Sequence, residues 1–162
     1  MARLKLPVDE LLTVVTETPH RIAALTTGVS ETVLHAAPTD EWSANDVLAH
    51  LRACADIWGD NIALMLADDT PTIRAVNPRT WIKRTDYNEL KLQPSLRAFA
   101  KQRTALLAML QALAPRDWSR TAIVLGGGSP LELTVMDYAQ RLARHERPHV
   151  KQIARVVQAM QR

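Results

Sequence analysis

A single cysteine, Cys54, leaves the chain unable to close an internal disulfide, so neither its stability nor its compartment can be argued from cross-links. One free thiol fits a reducing interior. No apolar run approaches the ~18 residues needed to cross a bilayer, and Met1 to Pro7 lacks the apolar stretch of a secretory signal. A cytoplasmic location with no membrane partner is the expectation. Only five glycines are present, three of them adjacent at Gly126 to Gly128, and no alternation of apolar and polar residues lasts long enough for a convincing sheet. Runs rich in Lys and Arg are missing too. The 20 basic residues are scattered among 17 acids and aromatics make up 4%. A net charge of +3 therefore permits weak attraction to anions but supplies no phosphate-tracking, base-stacking surface, and nucleic acid is not an expected partner.

What is present is helical periodicity. With 162 residues, 47% of them hydrophobic, the chain can bury one sizeable core, and one domain spanning 1–162 is expected. Leu11, Val15, Thr18, Ile22, Leu25 and Val29 recur at steps of three and four, which predicts a first helix over about 9–35 in two pieces, with a new start or a kink at Pro19. Trp42-Ser43-Ala44-Asn45-Asp46 reads as a helix start, with Ser43 as the cap and Asp46 in the capping-box position. That second helix runs to about Ala67, with Leu51, Ala55, Trp58, Ile62 and Met65 along its apolar seam. Asp68 to Gln93 holds Pro71, Pro78 and many polar residues and reads as a long connection with a short helix near Trp81. Pro94 opens a third helix with the seam Leu96, Phe99, Arg103, Leu106, Leu110 and Leu113, closed by Pro115. Gly126 to Pro130 fits neither phosphate-binding glycine fingerprint, has no strand expected before it, and reads as a flexible turn. The fourth helix begins near Thr134 and carries Val135, Tyr138, Leu142, His145, His149, Gln152, Val156 and Met160 on one face. The fold class is all-α, a four-helix bundle with a long connection between helices two and three.

His145 and His149 stand four residues apart, so on a helix both imidazoles leave one face and can reach a common ion. Leu142 and Val156 place that face toward the core, where two unpaired imidazoles are costly and a bound cation offsets the cost. The alternative is a pair of core histidines hydrogen-bonded to polar neighbours. His145-Glu146-Arg147-Pro148-His149 also matches the zinc-peptidase pattern H-E-x-x-H, but residues 150–162 contain no His, Asp, Glu or Cys to complete it, and Pro148 removes the helical hydrogen bond to the Arg144 carbonyl and is expected to kink the helix. A third ligand must come from upstream. His50, near the start of the second helix, is the best candidate, whereas His20 and His35 fall off their seam and face solvent. Three imidazoles suit Zn, Ni, Fe or Cu rather than Mg or Ca, and leave an open position for water, a thiolate or an anionic substrate.

In these residues the chain resembles the DinB/YfiT-like superfamily of metal-binding four-helix proteins, which carry a Trp-Ser helix start, an Ala-His-Leu segment, and a C-terminal His-x-x-x-His followed by Gln-Ile. Here these are Trp42-Ser43, Ala49-His50-Leu51, and His145 through His149 with Gln152-Ile153. The resemblance spans about Thr18 to Val156 and departs from the pattern at Pro148. It implies a DinB-like bundle, a divalent metal such as Ni or Zn held by His50, His145 and His149, and a homodimer. It does not imply one reaction, since relatives include metal-dependent hydrolases, thiol-dependent transferases and isomerases, and members of unknown activity. The expectation is a bacterial enzyme taking a small-molecule substrate or a low-molecular-weight thiol, with a noncatalytic binding or dimerisation module as the alternative.

Several neighbours of the histidines are ambiguous by sequence. Cys54, one turn beyond His50, reads first as a small core residue and second as a fourth ligand or thiol. Asp46 has a capping role and lies one turn before His50. Glu146 projects about 100° from its neighbour and reads as an outer support or a solvated residue. Arg141, Arg144 and Arg147 form a stripe that could draw in an anion but reads first as a solvated face. Trp81 and Arg84 could line the mouth of the site.

Overall fold

Capping chemistry and periodicity set the helices, and where the sequence misleads, the cause is a contact made across the bundle. The structure, a computed structural model, describes residues 4–162. Helix α1 spans Val8–Thr26 and runs straight through Pro19. The expected break falls later, between Thr26 and Glu31, where Gly28 takes a left-handed φ of 74°. Ser30 Oγ then accepts from the Val33 N–H and starts the short α2, Glu31–His35.

Helix α3, Ala44–Ala67, begins at the expected capping box, with Ser43 Oγ accepting from Asp46 N at 3.0 Å and Asp46 Oδ2 accepting from Ser43 N at 3.1 Å. After it come a strand β1, Thr72–Arg74, and one helical turn α4, Pro78–Trp81, continued by a 3₁₀ turn over Ile82–Arg84. Helix α5 covers Leu92–Gln111, with Pro94 in its first turn, where a missing N–H is harmless. Beyond a 3₁₀ turn at Pro115–Ser119, two more strands appear, β2 (Thr121–Leu125) and β3 (Leu131–Thr134), before the long α6, Val135–Met160. Thr134 and Asp137 form a second capping box at its start.

The small sheet corrects the all-helical expectation. β2 and β3 pair antiparallel around Gly126 and Gly128, whose φ values of 95° and 108° only glycine takes easily, and β1 adds in parallel to β2 with Ile73 opposite Val124. A strand therefore does precede the glycines, but a strand and not a helix follows, which leaves the turn reading intact. Three to five residues are too few for alternation to register in the sequence. Burial of Ile73 and Ala122 ties the sheet to the apolar cluster that includes Leu11, Met65 and Tyr138.

The four long helices form a ring in which α6 packs on α1 and α3, and α5 packs on the same two. Their core divides into two apolar clusters, one including Val15, Leu106 and Leu142 and the other Ile22, Leu51, Phe99 and Ile153. Between them lies a polar layer of Thr18, Arg103 and Glu146, all at most 2% exposed. Arg103 Nη1 donates to Glu146 Oε2 at 2.9 Å and Nη2 donates to Oε1, a two-pronged ion pair, while Thr18 Oγ1 lies 2.7 Å from Oε2. Glu146 is thus buried and paired, contrary to the solvated alternative.

Pro19 explains the remaining bond. Lacking an N–H, it cannot bond the carbonyl of Val15 one turn back, and Arg103 Nη1 donates to that oxygen at 2.7 Å instead. Breaking a buried pair from one side leaves an uncompensated charge and costs ~3–5 kcal/mol. Glu146→Gln should therefore lower the thermal midpoint by roughly 10 °C. The double replacement Arg103→Met with Glu146→Leu should recover most of that loss. Differential scanning calorimetry of the three variants checks both statements, and additive losses in the double variant would contradict the pairing.

Candidate metal centre

His50 lies on α3 about two turns after the Ser43 cap, and His145 and His149 lie on α6, so three imidazoles meet across the α3–α6 contact. His50 Nε2 is 3.0 Å from His145 Nε2, which is in turn 3.2 Å from His149 Nε2, and one nitrogen from each ring lies within 4.8 Å of the others. Pro148 sits between two of them without interrupting α6. His20 and His35 are exposed, and His35 pairs with Glu31 at 3.1 Å, as their positions off the seam predict.

Proton bookkeeping shows what this cluster wants. His149 Nδ1 lies 2.7 Å from Gln152 Oε1, an oxygen that only accepts, so Nδ1 carries a proton and Nε2 is the nitrogen left to offer a lone pair. His145 Nε2 can donate to one neighbour at most, which leaves lone pairs facing one another somewhere in the trio. A shared cation satisfies all three. Imidazole nitrogens each 2.0–2.1 Å from a tetrahedral ion would stand about 3.3 Å apart, close to the two distances found. The donor set therefore fits a divalent metal.

Electrostatics favour the same state. Burial, then the neighbouring His149 and Arg79, pushes the pKa of His50 down to about 4. Burial, then His149 and His50, pushes His145 down to about 3. Both rings are neutral at pH 7, with lone pairs available without a proton to expel. Cys54 is buried beneath them, its Sγ 3.7 Å from His50 Nε2 and 4.0 Å from His145 Nε2. Burial, with Glu146 adding to it, raises that thiol to about 12, so it is protonated in the metal-free chain.

Aromatic rings wall the cluster. Trp42 lies 5.0 Å from His50 and stacks at 15° on His149, and Trp58 meets His145 edge-on at 5.1 Å. A cleft of about 400 Å³ opens onto all three histidines and is lined by Asp40, Glu41, Trp42, Arg79 and Gln152. Arg79 lies 5.3 Å over the Trp42 ring. Its place in α4 gave sequence reasoning no signal, whereas Gln152, three residues after His149, was legible as part of the helix face. Trp81 and Arg84 do not line this cleft, and Trp81 instead donates to Asp56 Oδ2 at 3.4 Å. Asp46 is held by its cap and by Asn88 Nδ2 at 2.8 Å.

The pKa shifts give a test on the metal-free chain. Both histidines titrate below the unfolded value of 6.5, so the unfolded chain binds protons that the folded one refuses. Stability present above pH 6.5 should drain away as pH falls toward about 4. The thermal midpoint of chelator-treated protein should therefore drop between pH 7 and pH 5, a window above most carboxylate titrations, and His145→Asn should flatten the drop.

Comparison with known proteins agrees with this geometry. The DinB superfamily model matches residues 15–153. Among curated proteins none matches the chain. Among solved structures, YfiT from Bacillus subtilis, described as a probable metal-dependent hydrolase with an unusual four-helix bundle topology, superposes with a TM-score of 0.83 at 18% identity, over 99% of this chain and 93% of YfiT. At that identity the likeness speaks for the fold. The family match covers most of the sequence, and the chain belongs to the DinB superfamily.

Proposed function

We propose that the chain is a metal-dependent enzyme, with hydrolysis as its leading reaction, and that His50, His145 and His149 hold one divalent ion, Ni or Zn by donor type. The observation that carries this reading is the convergence of three Nε2 atoms at 3.0 and 3.2 Å, with burial holding the His50 and His145 rings neutral. A divalent ion held by three imidazoles supplies Lewis-acid polarisation and acidifies a coordinated water or thiol.

The protein's own part is positioning. Gln152 fixes the tautomer of His149, and such partners of ligating imidazoles typically account for 10–100-fold in metal affinity. Trp42 stacks on His149 and Trp58 meets His145 edge-on, which gives the imidazoles two aromatic walls. The open cleft at Arg79 admits a small molecule. One observation favours the alternative, a noncatalytic binding module: the Cys54 thiol stands near the ~3.6 Å that would separate sulfur from nitrogen around a shared zinc. A thiolate there would close the shell.

Elemental analysis of protein purified without a metal-affinity tag should find about one divalent ion per chain. Ala at any of the three histidines should abolish it, and Gln152→Ala should weaken it about tenfold or more. Full occupancy in folded His50→Ala would overturn the ligand set. X-ray absorption of the loaded protein before and after added azide separates the two readings, since a shell containing Cys54 sulfur and unmoved by azide leaves only the binding module.

A further inference from the structure

A second cleft, of about 630 Å³, reaches His145 and His149 along α6 and is walled by Lys5, Arg141 and Arg144. The one acid lining it, Asp137, is already engaged, capping α6 through Thr134 and accepting from Lys5 Nζ at 3.2 Å. Arg144 reaches back to the Leu4 carbonyl. Arg141 is placed differently. It stands one turn before His145 on the same helix face. Its guanidinium lies 5.6 Å over Trp58 and 5.5 Å over Tyr138, and Trp58 in turn meets the His145 ring. Among the described residues it makes no hydrogen bond and no ion pair.

A guanidinium held by stacking alone keeps its fork of N–H donors for a ligand, and that fork matches a carboxylate two-pronged. Leu133 and Pro148 add apolar wall to the cleft that Arg141 shares with His145 and His149, which suits a short methylene chain. Arg147, on the same helix, shows the contrast: it pairs with Glu10 at 3.1 Å and lines the groove between α1 and α6 instead.

We propose that Arg141 is a specificity residue, taking the carboxylate of a small substrate whose reactive end lies at the three histidines. This rests on the metal reading above and adds the substrate class, a short-chain acid. The arginine stripe thereby divides into one ligand-facing member and neighbours with structural duties.

Cobalt-loaded protein provides the test without any assay of turnover. A series of ω-mercapto acids from mercaptoacetate to 6-mercaptohexanoate, and the mercapto alcohols of equal length, is titrated while the thiolate-to-cobalt absorption is followed. At one chain length the acid should bind about five- to tenfold tighter than its alcohol. Arg141→Gln should erase that preference while leaving alcohol affinity unchanged, Arg141→Lys should keep only part of it, and Arg147→Gln should retain it. Equal affinities of acids and alcohols at every length, or a preference that survives in Arg141→Gln, would overturn the assignment. A chain that shows no cobalt spectrum at all overturns the metal reading and this inference with it, a result distinct from a cobalt site indifferent to carboxylates.

Discussion

The buried contact of Arg103 with Glu146 organises the rest of the molecule. It joins α5 to α6 at the waist of the bundle, and through Thr18 and the Val15 carbonyl it reaches α1 as well. Three of the four long helices thereby share one polar node between two apolar clusters. Glu146 is the residue after His145, so the node that locks the register of α6 also sets the rotation at which the imidazoles meet α3. Hydrophobic burial alone would tolerate small slips of α6 against its neighbours, whereas a two-pronged ion pair has one good geometry. The centre inherits its precision from a bond it does not contain.

The sequence showed the histidines and their helices, and it did so for local reasons. Caps such as Ser43 with Asp46 and Thr134 with Asp137 are written within four residues, and the seams repeat over whole helices. The face carrying His145 and His149 was therefore legible, as was the exposure of His20 and His35. What was hidden depends on distant residues. Glu146 could not be recognised as buried without Arg103, which lies 43 positions upstream. A clue existed, because Arg103 occupies a seam otherwise made of Leu96, Phe99, Leu106 and Leu110, and a charge in such a row requires a counter-charge.

The short strands were hidden for another reason. Thr72–Arg74 is too brief to show alternation, and its pairing with β2 joins segments far apart in the chain. Pro19 misled because an isolated proline signals a break, whereas here Arg103 takes over the carbonyl it orphans. In each case a tertiary contact overrode a local preference. The arginines followed the same logic: one spacing places Arg141, Arg144 and Arg147 along α6, but the neighbours on each side decide which stacks on tryptophan, which reaches a backbone oxygen and which pairs with Glu10.

Pro148 lies between His145 and His149 in an otherwise continuous helix. Because it has no N–H, the turn that separates the two donor rings lacks the strut that stiffens every ordinary turn. With one backbone hydrogen bond fewer in that turn, the spacing of the two imidazoles rests the more on side-chain contacts, such as that of His149 with Gln152. Under the metal reading proposed above, the softness of the imidazole donors and the availability of metals would then weigh more in the choice of ion than the size of a rigid hole.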